Sequence, residues 1–209
     1  LIKAQTLRAS TAQIAARIAL PQILPRLIDS VRLQIGPAWL FLIAAIVSGV
    51  ASAIFLFGKR KNADGWALAA AELAVVFGII TLVTGPLWAR KAWGIWWVWD
   101  ARLTSSLILW MIFVAYLLLR RYGGPGSDKL GAGMALFGLA NVPFIFVSVN
   151  VWRTLHPQTS VVPTLPVQMG GPLWFCVFAF LLLFLALLSM RARLERQRVR
   201  IENLYLAED

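Results

Sequence analysis

Residues 88 to 102 read Trp-Ala-Arg-Lys-Ala-Trp-Gly-Ile-Trp-Trp-Val-Trp-Asp-Ala-Arg, and five of the chain's ten tryptophans fall within the 12 positions from Trp88 to Trp99. Indoles at that density offer flat apolar faces on which a large planar guest can stack. On a helix, Trp93, Trp96, Trp97 and Asp100 would stand at i, i+3, i+4 and i+7, gathering three indoles and one carboxylate on a single face. Arg90, Lys91 and Arg102 flank them, and cations beside an aromatic shelf suit a guest with carboxylate tails. The opposing reading is a membrane-interface belt, because Trp collects at headgroup level with its ring in apolar matter and its N–H wet. In that reading Asp100 and Arg102 form a local ion pair and the other cations meet phospholipid. Spacing alone weighs the two equally.

His156 is the chain's single histidine. A lone histidine is more often an ordinary surface or core residue than a metal ligand. Pro157, however, biases it toward an extended loop from which an imidazole can reach a neighbouring shelf. Cys176 is also alone, which excludes a thiol pair within the chain, and it is expected to be an inert packing residue in an apolar run. Glu72 is a carboxylate within an apolar stretch, where such a group either snorkels or serves a polar site inside the bundle, paired or neutral. Thr104, Ser105 and Ser106 supply hydroxyls of the kind that favour a helix N-terminus.

The elements that must hold these residues follow from composition. The chain has 209 residues, of which 60% are hydrophobic and only 14% charged, with mean hydropathy +0.76. Those values exclude a soluble globule and a disordered chain. About 20 apolar helical residues cross a bilayer, and five runs of that order occur, at about Ala38 to Phe57, Trp66 to Pro86, Leu103 to Leu119, Leu130 to Asn150 and Pro172 to Met190. The expected fold is an all-α integral membrane bundle of five transmembrane helices, six if the N-terminal segment also crosses. Gly123-Gly124-Pro125-Gly126 reads as a turn, and Pro143 as a kink in the fourth span.

The net charge of +11 reports orientation before it reports partners. The linkers after the first, third and fifth spans hold 11 Lys and Arg residues, against 4 in the linkers after the second and fourth. The positive-inside rule therefore places the Trp-rich linker and the His156 linker together on the outer side and the C-terminus in the cytoplasm, with no role for nucleic acid. Residues 1 to 36 carry five more cations and are broken by Pro21 and Pro25, so Thr11 to Ile35 is expected to lie on the membrane surface or against the bundle. The chain thus divides into an interfacial segment (1–36), a transmembrane domain (37–190) and a basic tail (191–209).

The run from Trp93 to Thr104 resembles the WWD signature of the heme-handling proteins of cytochrome c biogenesis, the CcmC/CcmF/CcsA superfamily. Leu82 to Trp88 and Asn150 to His156 are similar to the corresponding parts of its CcmC branch, so the resemblance runs from about Pro37 to Met190. It implies a bacterial inner-membrane protein that holds heme b, as transported ligand, against a periplasmic WWD segment and presents it to the chaperone CcmE. The small subunit CcmD and the CcmA/CcmB transporter pair are the further partners implied. By the same resemblance Trp88, Trp93, Trp96, Trp97, Trp99, Asp100, Arg90, Lys91 and Arg102 are cofactor-binding residues. His156 corresponds to one of two axial histidines of the family. The other is missing, for Gln34 or Ile35 stands where it would be, and neither is a usual heme ligand.

Heme delivery without catalysis is therefore the leading expectation. The alternatives are a transporter carrying an amphipathic anion through its own bundle, a structural subunit that has lost heme binding, and, within the superfamily, a CcsA-like delivery or ligation subunit.

Overall fold

The computed structural model describes residues 35–152, 154–156 and 167–208, and every regular element among them is an α-helix. These are α1 (Ile35–Gly58), α2 (Lys61–Trp93), α3 (Ala101–Tyr122), α4 (Ser127–Val151) and α5 (Val167–Glu208). All five are long and apolar enough to cross a membrane. Each run read from hydropathy lies inside one helix, and each helix continues past it. A helix ends where its backbone is capped, not where lipid ends, so α2 reaches 33 residues and α5 reaches 42. The segment expected on the membrane surface lies, apart from Ile35, outside the described residues.

The larger of two compact units contains α1, α2 as far as Leu82, and α3 to α5. Its core is unusually rich in alanine along α2, where Ala67, Ala69, Ala70, Ala71 and Ala74 are almost fully buried. Lipid tails are as apolar as the helices, so helices in a membrane associate through close packing and hydrogen bonds rather than hydrophobic collapse, and small side chains permit it. Leu40 and Phe41 of α1, Leu109, Phe113 and Tyr116 of α3, Ala135 and Val142 of α4, and Phe184 of α5 complete that core. Polar ties cross it: Ser48 donates to the Ala67 carbonyl at 2.9 Å, Trp110 Nε1 to the Val75 carbonyl at 3.0 Å, and Asn141 to the Ser105 carbonyl at 2.9 Å. Large apolar side chains such as Phe57, Val76, Met111, Phe175 and Phe178 face outward, a surface suited to lipid.

Gly49 of α1 lies against Ala135 and Leu139 of α4. A Cβ there would sit 2.6 Å from the Leu139 Cβ and 3.1 Å from the Ala135 carbonyl oxygen. Backbone cannot yield as a flexible side chain can. Gly49→Ala is therefore expected to destabilise the bundle by about 1–3 kcal/mol, the usual cost of overpacking, read as a lower thermal midpoint in detergent. An unchanged midpoint would show that α1 and α4 can separate freely.

Of the readings open for Glu72, the structure shows a paired carboxylate. Arg191 of α5 holds it bidentately, with one bond at 2.7 Å, and also reaches Glu195 at 3.0 Å. The Asp64–Arg120 pair ties α2 to α3 in the same way. Pro143 lies inside α4 without ending it. Cys176 is half-buried and outside the buried core cluster.

Candidate functional site

Residues Val83–Trp97 belong to the second compact unit. Here α2 stops at Trp93, and Gly94 follows with φ +77°, its N–H bonded to the Arg90 carbonyl at 3.1 Å. A left-handed glycine is the usual helix stop, since only Gly enters that region without strain. The helical face expected of Trp93, Trp96, Trp97 and Asp100 therefore does not form. Trp93 ends one helix, Trp96 and Trp97 lie in a non-helical connector, and Asp100 caps the next helix.

Within this unit Trp88 and Trp93 pack edge to face with ring centroids 4.8 Å apart. Arg90 donates to the Gly94 carbonyl, and its guanidinium lies 6.0 Å over the Trp96 ring. That places a cation at the C-terminal end of α2, where the helix dipole favours it, and gives Arg90 a structural task beside any ligand role. Trp96 is 55% exposed and Lys91 is exposed, while Trp97 is half-buried.

In the larger unit, Asp100 is the junction. Its backbone is extended (φ −88°, ψ 165°), and its Oδ1 accepts the Leu103 N–H at 2.7 Å, the N-cap arrangement that satisfies an orphan donor of α3. The hydroxyls of Ser105 and Ser106 instead bond back to carbonyls of Ala101 and Arg102 within the first turns of the helix. Asp100 Oδ2 does not take Arg102 as its partner. It accepts the Thr154 hydroxyl and lies 3.4 Å from His156 Nδ1. Thr154 Oγ1 in turn accepts the His156 backbone N–H and stands 3.2 Å from Nδ1.

Asp100, Arg102 and His156 are thus brought into one neighbourhood, and Trp99, 74% exposed, precedes them. Burial holds the His156 imidazole below the ordinary histidine range; the Arg102 charge pushes the same way, and the Asp100 carboxylate opposes both. The shift favours the neutral ring, the form that can bind a metal. Thr154 was not among the residues that sequence singled out. Its signal is a hydroxyl two residues before the histidine, the spacing of an ST-turn. Among the described residues no three His, Cys, Asp or Glu side chains gather, so a bare metal ion has no multidentate seat.

A family model for heme exporter protein C, CcmC, matches residues 30–206. The chain belongs to that family. Heme exporter protein C of Bradyrhizobium diazoefficiens is 38% identical over 181 residues, covering 80% of this chain and 67% of the relative. The protein of the same name from Escherichia coli K12 is 38% identical over 169 residues, 75% of this chain and 67% of its own. A putative cytochrome c biosynthesis ccmC-like mitochondrial protein of Marchantia polymorpha is 37% identical over 128 residues, 61% of this chain and 54% of the relative. The CcmC match takes in Trp88 to Arg102, Thr154 and His156. It also takes in Gln34 and Ile35. CcmC is a family named for heme export, not for a reaction, and this chain is a multi-pass member of it.

Proposed function

We propose that the chain binds heme b at the periplasmic edge of a bacterial inner membrane and delivers it to a heme chaperone of the CcmE kind during c-type cytochrome maturation. The observation that supports this most is the His156 imidazole held against Asp100, the residue that ends the Trp-rich run. His156 is the axial ligand in this reading. Trp88, Trp93, Trp96, Trp97 and Trp99 supply apolar faces for the macrocycle, and Lys91 and Arg102, with Arg90 beside Trp96, meet its propionates. The chain adds no chemistry to the porphyrin; bond formation belongs to the acceptor. CcmD, the CcmA/CcmB pair and membrane lipid are the accompanying partners.

The orientation has its own test. Ala92 is exposed next to the indoles, so Ala92→Cys is expected to react with an impermeant thiol reagent added from the periplasmic side. Labelling only after the membrane is opened would reverse the topology and remove the periplasmic site.

Carriage through the bundle is the competing function, and the engagement of Glu72 by Arg191 argues against it, because it occupies the one carboxylate within the apolar run of α2. Purified chain in proteoliposomes is expected to give saturable heme absorbance without net heme flux. Flux with this chain alone would make it a transporter.

A further inference from the structure

We propose that Asp100 and Thr154 act on the imidazole rather than on the heme: together they fix the ring tautomer of His156 so that Nε2 carries the coordinating lone pair. The inference rests on the reading of His156 as the axial ligand and assigns Asp100 a positioning role in place of direct heme contact.

The argument is a count of hydrogens. A threonine hydroxyl has one hydrogen and two lone pairs. Thr154 gives its hydrogen to Asp100 Oδ2, and one lone pair takes the His156 backbone N–H at 3.2 Å. What remains facing Nδ1 from Thr154, at 3.2 Å, is a lone pair. The other oxygen facing Nδ1, Asp100 Oδ2 at 3.4 Å, belongs to a carboxylate and is an acceptor only. Both of these atoms accept, so a proton on Nδ1 serves them and the proton of a neutral ring is assigned there. The lone pair of that tautomer is on Nε2. A carboxylate or other acceptor behind a metal-bound imidazole sets the tautomer, aims the ring and makes it a stronger donor.

Asp100 is well placed to hold this setting. Its side chain is 4% exposed, and its Oδ1 is committed to the N-cap of α3, so the carboxylate cannot rotate without uncapping the helix. The direction of the imidazole is thereby tied to the first turn of a membrane helix. A loop histidine inherits the rigidity of α3 through one hydroxyl, that of Thr154, and one carboxylate, that of Asp100, 54 residues before the threonine.

The cap also makes the test sharp. Asn caps a helix as well as Asp, and in Asp100→Asn the amide oxygen must stay on the Leu103 N–H. The amide NH2 then replaces Oδ2 and faces Nδ1 with a donor. The ring proton is driven to Nε2, the wrong tautomer for ligation. Full-length chain in nanodiscs would be titrated with hemin, comparing wild type with Asp100→Asn, Thr154→Val and Thr154→Ser. Affinity is expected to fall about 10- to 100-fold in Asp100→Asn, the usual loss when such an outer partner of a ligand is changed. The residual heme should show an altered absorption spectrum and a raised midpoint potential. Thr154→Val should move both readouts in the same direction by less, and Thr154→Ser should restore them. Should Asp100→Asn fail to fold, Thr154→Val and its Ser counterpart carry the test alone. Unchanged spectrum and potential in Asp100→Asn and Thr154→Val, with wild-type heme dependent on His156, overturn the inference and leave the function standing. An affinity loss in Asp100→Asn with unchanged spectrum and potential also overturns it, pointing to direct contact. Wild-type heme that ignores His156→Ala overturns both.

Discussion

Replacing His156 with Ala is expected to cost this chain most of its heme. The substitution removes the single imidazole in the sequence. Losing an outer partner of a ligand typically costs 10- to 100-fold, so losing the ligand itself should cost at least about 100-fold in affinity, with the remaining heme shifted in absorption and spin state. The fold should persist, because His156 lies outside the buried core that joins the helices. Free imidazole added to His156→Ala should restore much of the ferric spectrum by occupying the vacated position. Equal heme retention in wild type and variant, measured by titration and difference spectroscopy, would show that the iron is held by something other than His156.

The second large effect is expected from the indoles. Covering an apolar side chain as large as Trp contributes about 1.5–3 kcal/mol, and Trp96 presents more than half its surface, at 55%. Trp97 stands next to it, half-buried. Trp96→Ala with Trp97→Ala should therefore weaken heme binding by about 3 kcal/mol or more, over a hundredfold. Circular dichroism should remain helical, since both residues lie in the connector between α2 and α3 and not within a helix. Full heme occupancy in the double variant would reduce the tryptophan cluster to an interfacial belt.

The five helices were legible because crossing lipid demands about 20 consecutive apolar residues, a signal carried by each segment alone. Their true ends were less so. α2 continues to Trp93, where Gly94 stops it, and α5 continues to Glu208 through polar residues that hydropathy does not count as a span. The helical face across Trp93, Trp96, Trp97 and Asp100 was misread for one local reason: Gly94 takes the left-handed conformation and stops α2. Spacing cannot distinguish a helix that continues from one that ends.

At the site, the sequence named Asp100, Arg102 and His156 but not their relation. The Asp100 carboxylate looked like a partner for Arg102, two residues away, whereas its hydroxyl partner is Thr154, 54 residues distant. Glu72 and Arg191 are 119 residues apart and no periodicity joins them. Such pairings are decided by how helices pack, so they appear only with the fold.

In the proposed function this chain holds heme through one strong protein ligand, His156. The sequence holds a single histidine, and two axial histidines would produce a low-spin bis-imidazole center. The direct measurement is the absorption and electron paramagnetic resonance spectrum of ferric heme on the purified, tag-free chain, monodisperse and without partner proteins. A high-spin spectrum, five-coordinate or with water opposite His156, is the predicted result. A low-spin bis-histidine spectrum from a single monomeric chain would contradict it.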